Sequence, residues 1–193
     1  MFEKERFIEE CRAALEECDP RAAIRELVAR ALSEPAHIVE ALGEPKRAGI
    51  ETIYQGDNLT ILNLCWGPRM VFKPHDHRMW AVIGIYGGLE QNIFYHRSEY
   101  GLKQHGTKEL QTKDTIPLGA TIIHAVINPL GRITGAIHVY GGDFFATPRS
   151  EWNPQTFEEQ PFDVADAIRA FEEANKRFHV REKGTDLFSD RAY

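Results

Sequence analysis

The chain has 193 residues, a formal charge of −6, 42% hydrophobic and 27% charged residues, and a pI near 5.8. That balance describes a soluble globule of one domain, argues against a nucleic-acid-binding surface, and leaves no apolar stretch long enough to span a membrane. The N-terminal run MFEKERFIEE is too charged for a signal peptide, so the cytoplasm is the expected location. Cys11, Cys18 and Cys65 are too few for a disulfide framework, and Cys11 and Cys18, seven apart on a helix, read as small core hydrophobes.

Residues 2–18 read as an amphipathic helix, with Phe2, Phe7, Ile8, Cys11, Ala14, Leu15 and Cys18 recurring at helical spacing. Asp19-Pro20 restarts a second helix that runs to about residue 33, Asp19 as its cap and Pro20 in its first turn. Pro35, Gly43 and Pro45 predict a loop that ends this helical segment near residue 48. From about residue 50 the texture changes to short apolar runs divided by Gly and Pro turns. The runs are Ile50 to Tyr54, Leu59 to Trp66, Val71-Phe72 into His75 and His77, Ala81 to Tyr86, Leu89 to Arg97, Leu110 to Lys113, Thr121 to Ile127 and Thr134 to Tyr140. This predicts a mainly β fold, an antiparallel sandwich or barrel over residues 50–145. A helix over residues 161–179 follows, with Phe162, Val164, Ala165, Ile168, Phe171 and Ala174 on its buried side.

The chemistry is carried by histidines. His75 and His77 are two apart on a strand and so share a face. His124 and His138 lie on later strands, and a hairpin centred near Gly131 would place them opposite each other, with Tyr140 on the same face. Neutral imidazole is the commonest protein ligand for Zn, Fe, Cu and Ni. Three histidines from facing strands would hold a metal and leave coordination positions open. His37, His96, His105 and His179 read as ordinary residues.

These residues resemble a family. Gly67, His75, His77 and Gly88 match the first motif of the cupins, the double-stranded β-helix superfamily. Ala81 and Val82 stand where that motif has its Glu. Pro117, Gly119, His124 and Asn128 match the second motif. Within the cupins, Ile61-Leu-Asn-Leu-Cys65-Trp66-Gly67 followed by Pro-His75-Asp-His77 resembles cysteine dioxygenase and related thiol dioxygenases, over roughly residues 1–145. That resemblance implies a cupin-type antiparallel β-barrel (jelly-roll) with helices at both ends. It also implies Fe(II) on His75, His77 and His124, with Ni, Zn or Cu as other ions the three would hold. His138 and Tyr140 match the Ser-x-His-x-Tyr pattern, with Ala136 in place of the serine. The resemblance makes them catalytic: Tyr140 would donate a hydrogen bond toward an open coordination position, oriented by His138. Val82 stands at the position of the family's cross-linking cysteine. The arginine that grips substrate carboxylate is unmatched, which leaves Arg47, Arg78 and Arg97 as substitutes. The implied partners are a small thiol and O2. Two alternatives remain: a three-histidine cupin that cleaves a carbon–carbon bond, and a cupin that binds a small ligand without turnover.

Overall fold

In the computed structural model, residues 1–99 and 101–183 are described. Three helices lead the chain: α1 (Lys4–Ala14), α2 (Pro20–Ala31) and α3 (Pro35–Leu42). The Asp19 carboxylate accepts the Ala22 N–H at 3.0 Å, as its place before Pro20 predicts. The third helix replaces the predicted loop. Pro35 sits in its first turn, where a missing N–H costs nothing, and Gly43 ends it at a φ of +85°. The first helix is shorter than predicted, and Cys18 lies exposed beyond it, whereas Cys11 and Cys65 are buried.

Eleven strands follow among the described residues: β1 (Gly49–Gln55), β2 (Thr60–Trp66), β3 (Val71–Asp76), β4 (Ala81–Gly87), β5 (Leu89–Ser98), β6 (Gly101–Gln111), β7 (Thr115–Leu118), β8 (Ile123–Ile127), β9 (Thr134–Tyr140), β10 (Ser150–Trp152) and β11 (Glu159–Pro161). The helix α4 (Val164–Lys183) closes the described chain. The strands form two antiparallel sheets in the orders β1-β2-β9-β4-β7 and β11-β10-β3-β8-β5-β6. This is the mainly β, two-sheet antiparallel architecture with helices at both ends that the sequence predicts.

The later elements also differ from prediction. The short strand read near Leu110 is the end of the long β6, and β7 was unread. Strands β10 and β11 continue the second sheet past residue 145. Helix α4 begins three residues later than expected, because residues 159–161 pair with β10 and Asp163 caps the helix by accepting the Ala165 N–H at 2.8 Å.

The predicted hairpin of β8 with β9 does not form. Strand β8 pairs with β3 and β5, and β9 pairs with β2 and β4, so the chain crosses between sheets at Asn128. Asn128 fixes that crossing: its amide nitrogen is within 3.0 Å of the carbonyls of Trp66, Gly67 and Arg132. His124 therefore lies opposite His75 rather than His138.

Two apolar layers hold the barrel. Leu62, Leu64, Trp66, Phe72, Ile83 and Tyr140 belong to the layer between the sheets. Ile61, Val82, Tyr86, Ile137 and Val139 turn outward against Ile24, Val28, Leu32 and Ile38 of the N-terminal helices. Strands β2 and β9 are thus buried on both faces, which explains why apolar residues fill both faces of each. Gly84 allows α2 this close, since a Cβ there would meet Val28 Cγ1 at 2.4 Å. No helix among the described residues is long and apolar enough to cross a membrane.

Candidate metal centre

His75 is the last residue but one of β3, and His77 stands just past the strand end rather than in it. Arg78 follows in a left-handed conformation, φ +57°. A register shift between Phe72 and His75 adds a residue to β3 relative to β8. Such bulges re-aim side chains. His124 sits mid-strand in β8, flanked by His75 on one side and Phe94 on the other.

The three imidazoles converge inside the barrel. His77 Nε2 lies 3.2 Å from His75 Nε2 and 3.4 Å from His124 Nε2. All three ligand atoms fall within 4.8 Å of one another, a group able to hold a metal ion. Nitrogens held about 2.0–2.2 Å from one ion at tetrahedral or octahedral angles are about 2.8–3.6 Å apart, so the two shorter separations fit.

The hydrogen bonds decide which nitrogens are free. His75 Nδ1 is 3.0 Å from the Lys73 carbonyl, which can only accept. His124 Nδ1 is 2.6 Å from Asn92 Oδ1. The Asn92 amide nitrogen is turned away and donates to Glu90 Oε1 at 2.9 Å. Both histidines thus carry their proton on Nδ1 and offer Nε2 as a lone pair. Burial pushes the His75 pKa down to about 4, and those of His77 and His124 well below the usual imidazole value. All three rings are therefore neutral at physiological pH, the form that binds metal.

Beside them, on β9, His138 Nδ1 lies 2.9 Å from the Tyr140 hydroxyl, and the Tyr140 ring packs edge-on against His77 at 5.0 Å. Burial raises the Tyr140 pKa, so the phenol keeps its proton. Val82 points away to the outer layer. Ala81 is the β4 residue paired with Tyr140, and neither carries sulfur.

A cavity of about 760 Å³ leads from these side chains to the surface between β1 and α4, and Trp66, Phe72, Phe144 and Phe162 are part of its wall. Of the three predicted substrate arginines, the structure places Arg47 on the wall, exposed. Arg78 and Arg97 do not line it. Both are surface groups paired with Asp76 and Glu159, with Arg78 Nε 2.7 Å from Asp76 and Arg97 3.1 Å and 2.8 Å from Glu159. These ion pairs hold both at the surface.

Arg149 was unread in the sequence. It lines the cavity with its guanidinium 4.1 Å from the centres of both Phe144 and Phe162. It donates to the Phe144 carbonyl, has no carboxylate partner among the described residues, and its Nε is buried without a hydrogen-bond partner. Glu90 and Asn92 were also unread. The available signal was two polar side chains two residues apart, which share one face of β5.

No protein-family model matches the chain. Solved structures similar to it include an RmlC-like cupin family protein with a double-stranded β-helix fold from Methanocaldococcus jannaschii, at 9% identity and TM-score 0.45 over 53% of this chain and 87% of that one. A cupin superfamily protein from Desulfitobacterium hafniense is similar at 14% identity and TM-score 0.43 over 53% and 86%. An oxalate decarboxylase variant from Bacillus subtilis is similar at 14% and 0.43 over 53% and 27%. Neighbours this distant leave the chemistry to the side chains themselves.

Proposed function

We propose that this chain is a mononuclear non-haem iron dioxygenase that oxidises a small thiol to a sulfinate. The observation that carries the reading is the His138–Tyr140 pair, hydrogen-bonded at 2.9 Å beside three converging neutral imidazoles at the end of a cavity. Iron(II), when bound by His75, His77 and His124, supplies the point where sulfur and O2 meet and the electronic route between them. The electrons that reduce O2 come from sulfur, both oxygen atoms add to it, and no outside reductant is needed.

The chain's own groups supply the rest. Three neutral ligands leave the ion's charge uncompensated, which favours a thiolate over a neutral ligand. Arg149, short of an anionic partner, suits a carboxylate on the thiol substrate. Trp66, Phe72, Phe144 and Phe162 dry the interior, which strengthens every charge interaction there. Tyr140 and His138 provide a polar pair at the reacting end, which a passive ligand-binding cavity does not need.

Oxygen uptake by the iron-loaded protein, measured against a panel of thiol acids, neutral thiols and diketones, tests the reading. The expected result is uptake that depends on a thiol and is fastest with a thiol acid. Uptake that depends only on a diketone would favour carbon–carbon cleavage, and none with any compound would favour ligand binding without turnover.

A further inference from the structure

Glu90 is fully buried inside the barrel. Both of its oxygens accept hydrogen bonds, Oε2 from Trp66 Nε1 at 2.7 Å and Oε1 from Asn92 at 2.9 Å. That is the pattern of an acceptor-only carboxylate. The same Oε2 lies 3.7 Å from His138 Nε2, a buried nitrogen with no hydrogen-bond partner. Two arrangements of the His138 proton are open. With the proton on Nδ1, the Nε2 lone pair would face a buried carboxylate oxygen at close range, which is repulsive at low dielectric. With it on Nε2, the N–H has that oxygen 3.7 Å away and is attracted to it through the low-dielectric interior, while Nδ1 is left as an acceptor 2.9 Å from the Tyr140 hydroxyl.

We infer that Glu90 is a positioning residue that holds the His138 proton on Nε2, so that Tyr140 donates its own proton inward to His138 and presents its oxygen to the cavity as an acceptor. This reverses the expectation drawn from the resemblance, in which Tyr140 donates toward the open coordination position. Resting on the thiol reading, the arrangement has one consequence for turnover: an entering thiol meets the Tyr140 oxygen as an acceptor for its S–H proton.

The test reads the imidazole proton directly. Long-range ¹H–¹⁵N NMR of the diamagnetic zinc-loaded protein should show His138 protonated on Nε2 and bare on Nδ1. In Glu90→Met, which keeps the length and removes both acceptor oxygens, that preference should be lost. The iron-loaded variant should lose about 10-fold or more in thiol-dependent kcat per bound metal. An Nδ1-protonated His138 in the unaltered protein, or an unchanged tautomer in Glu90→Met, overturns the inference. Should the variant fail to fold, the tautomer in the unaltered protein decides alone. The NMR measurement needs no turnover, so a protein that shows the Nε2–H tautomer but oxidises no thiol would sink the dioxygenase reading and leave the role of Glu90 standing.

Discussion

At the scale of single residues, two groups on the cavity wall carry separable duties. Tyr140 is no ligand, so Tyr140→Phe should leave metal content unchanged and lower thiol-dependent turnover about 10- to 1,000-fold, the range for removing one positioned polar group. Steady-state kinetics with metal analysis on the same sample checks this; unchanged turnover would remove the pair from the chemistry. Arg149 is read as the grip on a carboxylate. Arg149→Leu should raise KM for a thiol acid about 10- to 100-fold, the scale of a charge-assisted hydrogen bond, and leave KM for a neutral thiol nearly unchanged. An equal effect on both would make Arg149 a packing residue. The histidines and Tyr140 were legible in the sequence because such side chains rarely share one face of apolar strands without a task. Arg149 was not, because it lies in the irregular chain between β9 and β10, where no periodicity marks which side chains turn inward.

At the scale of elements, strand pairing decides what the histidines meet. The alternation of β8 and β9 correctly turned His124 and His138 inward, but the assumption that neighbours in sequence are neighbours in a sheet failed at Asn128. Short-range pattern carries the face of a side chain; it does not carry which sheet the strand joins. Helix α3 was lost for a related reason, since Pro35 was read as a breaker when it stood at a helix start. Strand β5 shows the functional cost of an unread face. Its residue Glu90 stands beside His138, and Asn92 Oδ1 fixes the His124 tautomer at 2.6 Å. Asn92→Leu should therefore weaken metal affinity about 10- to 100-fold, measured by competition with a chelator. Affinity equal to that of the unaltered protein would show that His124 keeps its tautomer without help.

At the scale of the whole molecule, burying three histidines makes folding sensitive to acid when no ion is bound. The His75 pKa falls from an ordinary 6.5 to about 4 through burial, and His77 and His124 move the same way. Between those values the unfolded chain binds more protons than the folded one, so stability is lost as pH falls from 6.5 toward 4 and is unaffected above about 7.5. His75 alone accounts for on the order of 3 kcal/mol across that window. Urea titrations of the metal-free protein should show the unfolding midpoint dropping over that range; a flat profile would mean that the rings are not buried as neutral groups. The same three rings, neutral and aimed at one point, would hold the iron of the proposed thiol dioxygenase, and labelled dioxygen tests that proposal most directly. The iron-loaded protein given a thiol acid under isotopically labelled O2 should yield a sulfinate in which both oxygens carry the label, seen by mass spectrometry. A product with one label or none, or no sulfinate at all, would contradict it.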